Sequence, residues 1–332
     1  MDDMPGHKSG QGASGFTWGE YLDWLIASVG SLAGVAEKLC AARGFTEDIG
    51  SIEHALRRLR DRGNAPGGKW GQRAIDVFGL PEQVEARVRW MGVYHSRFTD
   101  LPVAICEDLV RLWDRPPATD AIRSRTWLFL ARGTVALRKN DFETAAVHLS
   151  QARLGIASLS AEAEVELLLV EAFVASRKEP ARVGALLGQV EPLLRCVVDP
   201  NERACLHARW IDQRAYELNK GRIGPADPAA AEALYREIAD DHAPPFARCR
   251  RANGLAYACW KQGRPGEGAA FARAACQHAG DGGHVRMHAM ALAMLGRILD
   301  TPEGDEATRR ANEIALRLDD EMLSGRFSRA RS

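Results

Sequence analysis

The sequence predicts an all-α protein: an N-terminal helical domain followed by an α-solenoid of helical hairpins. β-branched runs with period-two alternation do not occur, whereas Ala, Leu, Arg and Glu dominate between Gly and Pro residues. Beyond the break RPPAT (Arg115–Thr119), turn-like segments recur at intervals of about 39 to 42 residues, which indicates stacked hairpins. We therefore expect a flexible tail over 1–15, a helical domain over 16–116, a repeat array over 117–322 and a second flexible tail over 323–332.

Composition and charge restrict the classes of partner. Lys plus Arg number 44 and Asp plus Glu number 44, so a contact with nucleic acid or an anionic membrane would need a local patch. No apolar run approaches the roughly 20 residues that cross a bilayer, and we expect no membrane partner. The seven cysteines form an odd set without a C-x-x-C pair. Together with an N-terminus that lacks an export pattern, they favour a cytoplasmic location.

The first three helices are predicted by their caps and apolar spacing. Thr17 and Glu20 form a capping-box pair ahead of a helix over about Trp18–Val29. Ser31 and Ser51 are expected to cap the next two helices. Three short helices joined by tight turns should form a compact unit.

A basic block, HALRRLRDRGNAPGGKWGQR (His54–Arg73), holds six cationic side chains and one acidic one. Guanidinium groups on a helix can neutralise phosphates and reach guanine edges, although arginine also solubilises an exposed helix face. Residues 1–116 carry 14 basic and 16 acidic side chains, so the domain is not basic overall. Five side chains are the candidate DNA contacts: Arg57, Arg58, Arg62, Lys69 and Arg73.

Two segments of this domain resemble parts of a helix-turn-helix. The stretch SIEHALRRLRDRG resembles the recognition helix and following turn of winged-helix and helix-turn-helix DNA-binding domains. The stretch SLAGVAEKLCAARG is similar to the supporting helix before it, and the resemblance covers about residues 17–80. It implies duplex DNA as a partner. No pair of strands follows Gly63, because NAPGGKWGQRAIDVFGLP returns to helix, so the sequence departs from the winged pattern.

The hairpin turns of the array are LRKND, SRKEP, LNKGR, WKQGR and LDTPEG. Two hairpins carry small residues separated by twelve and then seven positions: Gly133, Ala145 and Ala152 in the first, and Ala256, Gly268 and Ala275 in the fourth. Small residues are needed where neighbouring helices approach most closely. The second hairpin keeps Ala172 and Gly184 but has Glu191 at the third place.

This pattern, with GTVALRKNDFETAAVHLSQA and LAYACWKQGRPGEGAAFARAA, resembles tetratricopeptide repeats over about residues 118–320. The repeats exceed the usual length of about 34 residues, so the array is a degenerate one. The resemblance implies a superhelix whose inner groove binds a peptide or another protein.

One helix of the fourth hairpin carries the candidate groove residues. Arg250, Asn253, Tyr257 and Lys261 lie three, four and four residues apart, with Trp260 beside them. Cationic and amide donors on such a stripe would hold an acidic segment, and aromatic rings would cover its apolar side. A solvated helix face is the alternative interpretation.

Motifs for catalysis and metal binding are absent from the sequence. It contains neither a Gly-rich phosphate loop ending in Lys-Ser/Thr nor a G-x-S-x-G elbow. His284 and His288 have a metal-ligand spacing, but the residues between them lack the acid of a zinc-protease motif. We expect no catalytic residue, no metal and no cofactor.

The favoured function is a non-enzymatic scaffold or regulator that binds a protein or peptide in its repeat groove. The alternative is a transcriptional regulator with a DNA-binding first domain and a sensor array. Clustering of the candidate DNA contacts on one exposed face would favour the alternative. Burial of these side chains, or their pairing with acids, would favour the scaffold. The oligomeric state stays open.

Overall fold

A computed structural model describes residues 15–42, 47–156, 160–221 and 225–328. Within these ranges the chain forms seventeen α-helices and no β-strand, which confirms the all-α class. Residues 1–14 and 329–332, which the sequence assigned to flexible tails, lie outside the described residues.

The first helices in chain order are α1 (Trp18–Val29), α2 (Leu32–Ala41), α3 (Ile49–Arg60), α4 (Gly68–Phe78), α5 (Glu82–Gly92) and α6 (Val103–Trp113). The remaining helices are α7 (Ile122–Arg138), α8 (Phe142–Gly155), α9 (Ala161–Lys178), α10 (Val183–Leu194), α11 (Pro200–Lys220), α12 (Pro228–Arg236), α13 (Pro245–Lys261), α14 (Pro265–Asp281), α15 (Val285–Ile298), α16 (Pro302–Arg317) and α17 (Glu321–Ser328).

The described residues divide into two compact units. The first unit comprises the residues up to Arg89 together with Asp108–Leu128. The second comprises Trp90–Glu107 and the chain from Phe129 onward. The sequence placed a single boundary between residues 116 and 117, whereas the chain passes between the units more than once.

Local hydrogen bonds set the starts of the first helices. The Thr17 hydroxyl accepts from the Glu20 backbone N–H, and the Glu20 carboxylate accepts from the Thr17 N–H, so the predicted capping box is confirmed. Ser31 caps α2 as predicted. α3 corrects the prediction, because Asp48 is its cap and Ser51 lies in its first turn. The Asp48 carboxylate accepts from both the backbone N–H and the hydroxyl of Ser51.

The core of the first unit lies among α1, α2 and α3. Trp18, Leu25, Leu39 and Leu56 are fully buried there. Among the described residues, no single helix is both long and apolar enough to cross a bilayer. The pair α1 and α2, bent by 85°, meets that length and composition together, but its apolar residues form this core.

The second unit contains helical hairpins that follow one another along the chain. α9 packs on α10, α11 on α12, α13 on α14, and α15 on α16, and α17 packs on α16. The first helices of successive hairpins also contact one another, from α9 through α11 and α13 to α15. We call α7, α9, α11, α13 and α15 the inner helices. The arrangement is solenoid-like.

Small residues mark close helix approach at two of the three predicted places. A Cβ atom on Gly268 would lie 3.0 Å from the carbonyl oxygen of Ala256, and one on Gly133 would lie 3.3 Å from Leu149. Gly184 has open space around it, so the second hairpin does not need a small residue there.

The C-terminal segment corrects the sequence prediction of a tail from residue 323. α17 continues to Ser328, and Leu323 and Phe327 are buried against α15 and α16. A helix this short offers few apolar positions, and periodicity alone does not distinguish it from a loop.

Candidate functional site

A cavity of about 500 Å³ lies within the second unit. Its lining comes mainly from the inner helices and α17, and its volume falls in the range of roughly 300–1,000 Å³ that is typical of ligand sites. Two acidic side chains, Asp212 and Glu217, belong to the lining. Eight cationic side chains belong to it as well: Arg138, Arg177, Arg209, Lys220, Arg250, Arg286, Arg297 and Arg326.

The structure brings three of the five predicted groove residues to this cavity. Arg250, Asn253 and Tyr257 line it from α13. Trp260 instead packs against the core formed by α15 and α16, and the exposed Lys261 extends its ammonium over the Trp260 ring at 5.1 Å. The first two turns of the predicted groove stripe on α13 therefore line the cavity, and its last turn does not.

Tyr94, in the segment between α5 and α6, lies among three inner-helix arginines. The guanidinium carbons of Arg209, Arg250 and Arg286 are 4.6, 5.7 and 5.6 Å from the centre of its ring. Arg286 and Arg250 also donate to its hydroxyl oxygen. Burial alone would raise the pKa of Tyr94, but the surrounding guanidinium groups, with Arg286 foremost, lower it to about 8.

Asp320, directly before α17, neutralises cavity arginines from two other helices. Its Oδ2 accepts from Arg138 Nε at 2.9 Å and from Arg286 Nε at 2.8 Å, and its Oδ1 accepts from the Leu323 N–H. Burial would raise the pKa of this carboxyl, yet Arg286 and Arg138 hold it below its usual value. One carboxylate thus serves two guanidinium groups.

A second carboxylate, Asp212 of α11, holds Arg250. The Asp212 side chain pairs with the Arg250 guanidinium and accepts a hydrogen bond of 3.0 Å from the Tyr235 hydroxyl. The Tyr235 ring packs directly on Gly254, where a Cβ atom would overlap it. A glycine inside α13 therefore lets the tyrosine support the carboxylate that positions Arg250.

Three cavity arginines, Arg177, Arg297 and Arg326, have no carboxylate partner among the described residues. The guanidinium groups of Arg177 and Arg326 lie 5.9 and 5.7 Å from the centre of the Phe173 ring. Arg326 Nη1 is 3.9 Å from the sulfur of Met290. Burial, followed by the positive charge of Arg286, lowers the pKa of Arg326, so its own surroundings disfavour its charge.

Several buried polar atoms of the lining also lack a hydrogen-bond partner within the described ranges. They include Arg177 Nε, Arg250 Nε, Asn253 Oδ1 and Arg286 Nη2. Buried polar atoms are nearly always hydrogen-bonded in folded proteins. Unpartnered donors at the wall of a cavity are groups that a bound anion can satisfy.

Sequence reasoning singled out one of the three arginines around Tyr94. Positions 209, 250 and 286 are 41 and 36 residues apart on successive inner helices, and this recurrence is a signal that could have found Arg209 and Arg286. Tyr94 carries no such signal, because its segment lies outside the repeats.

The candidate DNA contacts of the first unit are mostly engaged by other groups. Arg62 donates to the Pro66 carbonyl oxygen, and Arg58 is exposed with no ion pair to any described residue. The other three pair with acids: Arg57 with Glu53, and Lys69 and Arg73 with Glu47.

His284 and His288 face different partners. His284 Nδ1 lies 3.5 Å from the Asp100 carboxylate, and His288 Nδ1 lies 3.1 Å from the Cys276 carbonyl oxygen. Across the described ranges, no three His, Cys, Asp or Glu side chains come together as a metal site.

Comparison with known proteins adds no relative. No protein-family model matches the chain, and no curated protein and no solved structure matches it either.

Proposed function

We propose that the second unit is a non-enzymatic binding module that holds an acidic peptide segment of a partner protein in the arginine-rich cavity. Eight cationic and two acidic side chains line the cavity, and four cations remain in excess after Asp320 and Glu166, which pair with lining arginines, are also counted. This excess carries the proposal. Like charges crowded in a recess repel one another, and an anionic ligand removes that repulsion through charge-assisted hydrogen bonds.

The remaining lining suits a peptide. Asn253 offers a buried, unpartnered amide oxygen to a backbone N–H, and Tyr257 offers an aromatic surface to an apolar side chain. The volume suits a short segment of a few residues. The resemblance to tetratricopeptide repeats supports a peptide ligand, because the inner helices of that family bind extended segments.

DNA binding by the first unit has weaker support. Lys69 and Arg73 share the carboxylate of Glu47, and Arg57 pairs with Glu53. Each of these pairs would have to open before its cation could neutralise a phosphate. We therefore propose an interaction scaffold or regulator rather than a DNA-binding regulator.

The test is a titration of the full chain with two end-blocked peptides, acetyl-Glu-Glu-Leu-Glu-Glu-amide and its Gln counterpart. We expect the Glu peptide to bind at least about tenfold more tightly, a difference of about 1.4 kcal/mol. Arg297→Gln, which breaks no ion pair within the described chain, and Arg250→Gln should both weaken binding of the Glu peptide.

The matched control is Arg251→Gln. Arg251 is the neighbour of Arg250 on α13, but it pairs with Asp240 and does not line the cavity. Equal binding of the Glu and Gln peptides, or an equal loss with Arg251→Gln, would contradict the proposal.

A further inference from the structure

One end of the cavity concentrates arginines around the ring of Phe173. Arg177 lies one turn after Phe173 on α9, and Arg326 approaches the same ring from α17. Arg326 also contacts Met290, one turn after Arg286 on α15. Three helices therefore bring guanidinium groups to one apolar corner of the cavity.

The charges at this corner are not balanced by the described protein. Asp320 joins a fourth arginine, Arg138, to this corner, because it pairs with both Arg138 and Arg286. No other carboxylate of the described chain pairs with Arg138, Arg177, Arg286 or Arg326. Only 3% of the Arg286 side chain is exposed, so water does not reach it freely. Its Nη2 donor nevertheless has no hydrogen-bond partner among the described residues. Four guanidinium groups and one carboxylate leave an excess of three positive charges.

The chemistry of the donors selects the anion. A carboxylate brings one negative charge and two oxygens, whereas a phosphate monoester brings about 1.5 to 2 negative charges and three acceptor oxygens. All the cations here are arginines, whose planar guanidinium groups match phosphate oxygens with paired N–H donors. A phosphate fits both the excess charge and the number of free donors better than a carboxylate.

We propose that the peptide segment bound in the cavity carries a phosphorylated side chain, whose phosphate group is held by Arg177, Arg286 and Arg326. This inference rests on the proposed function, since it specifies the ligand of the same cavity. The stem of the phosphorylated residue lies against Phe173 and Met290, and the acidic remainder of the segment extends toward α13.

The experiment is a position scan on the full chain. Phosphoserine replaces each residue of acetyl-Glu-Glu-Leu-Glu-Glu-amide in turn, and glutamate at the same position is the control. We expect at least one phosphoserine peptide to bind about tenfold or more tightly than its control at pH 7.5. This advantage should shrink below pH 6, where the phosphate loses its second charge and glutamate keeps its own.

Inorganic phosphate tests whether the group occupies a place of its own. Millimolar phosphate should compete with the preferred phosphoserine peptide, because both would occupy the same three arginines. Absence of any phosphoserine advantage, or failure of phosphate to compete with that peptide, would overturn the inference while the acidic-peptide proposal survives. Binding of no peptide at all would instead refute the proposed function.

Arg326→Met separates a ligand-binding role from a structural one. Methionine keeps an apolar stem of similar length and removes a partly buried charge that has no carboxylate partner among the described residues. We expect the phosphoserine advantage to disappear, binding of the glutamate peptide to persist, and the melting temperature of the free protein to stay equal or rise.

Arg310→Met on α16 is the control, because Arg310 is exposed and pairs with Glu306. It should keep the phosphoserine advantage. A fall in melting temperature for Arg326→Met with equal loss of both peptides would assign Arg326 a structural role and overturn the inference.

Discussion

Gly254 is the residue on which the position of Arg250 depends. The absence of a Cβ atom lets the Tyr235 ring lie against α13, where its hydroxyl bonds Asp212. Asp212 in turn pairs with Arg250. A position without a side chain thus determines where one of the positive charges of the cavity is held.

We expect Gly254→Ala to lower the free energy of unfolding by about 1–3 kcal/mol, because the new methyl group displaces the Tyr235 ring. Alanine is the better helix former, so helix propensity acts in the opposite direction. Urea denaturation measures the change. Gly188→Ala in α10 is the control, since its Cβ would meet no atom within 4 Å, and it should raise stability by up to about 1 kcal/mol. Equal effects of the two substitutions would contradict this account.

Sequence reasoning found residues of the site that share one helix and missed those that do not. Arg250, Asn253 and Tyr257 follow helical spacing on α13, and the sequence alone places them on one face. Tyr94 and Arg326 are 232 positions apart in the numbering and reach the same cavity only through tertiary packing. Local periodicity contains no information about such a contact.

At the scale of helices and hairpins, the fourth hairpin depends on the close approach of α13 and α14 at Gly268. The Cβ atom of a larger side chain there would lie too close to both the Ala256 carbonyl oxygen and the Ile298 side chain. We expect Gly268→Leu to lower the free energy of unfolding by about 1–3 kcal/mol through overpacking. Thermal and urea melts of the full chain measure it.

Gly184→Leu provides the matched control for that substitution. Gly184 occupies the corresponding place of the second hairpin, but the space around it is open, so the same change should leave stability nearly unaltered. A similar loss in both variants would mean that the glycine is needed for a reason other than helix approach.

The start of a helix could be predicted from the sequence where only one capping residue was available. The capping box of Thr17 and Glu20 set the start of α1 correctly. At α3 two capping residues, Asp48 and Ser51, lie three positions apart, and propensity does not choose between them. α17 was missed because tertiary burial of its few apolar residues, not its own periodicity, stabilises it.

At the scale of the second unit, Tyr94 is surrounded by arginines from four helices. Arg209, Arg250, Arg286 and Arg326 face it from α11, α13, α15 and α17, and they lower its pKa to about 8. Between pH 8 and pH 10 the unfolded chain therefore binds more protons at this group than the folded chain does. Stability from Tyr94 is fully present above pH 10 and is lost as the pH falls through 8.

We expect the difference in unfolding free energy between the wild-type chain and Tyr94→Phe to grow from pH 7.5 to pH 9.5. Other titrating groups are common to both proteins and largely cancel in that difference. Urea melts at several pH values measure it, and the near-ultraviolet absorbance of tyrosinate follows the deprotonation directly. A pH-independent difference would show that the arginines do not favour the phenolate.

The Asp320 pairings have a consequence for folding cooperativity. A chain of repeats that touch only their neighbours unfolds piecewise from its ends. Here Asp320 pairs with Arg138, 182 residues earlier, and the Leu318 carbonyl oxygen accepts from the Val103 N–H. Fraying of α17 would leave Arg138 and Arg286 buried without their carboxylate, so the last helix cannot open without destabilising a much earlier one. We expect the unit to unfold in one steep transition, and Asp320→Asn to divide it into two shallower ones.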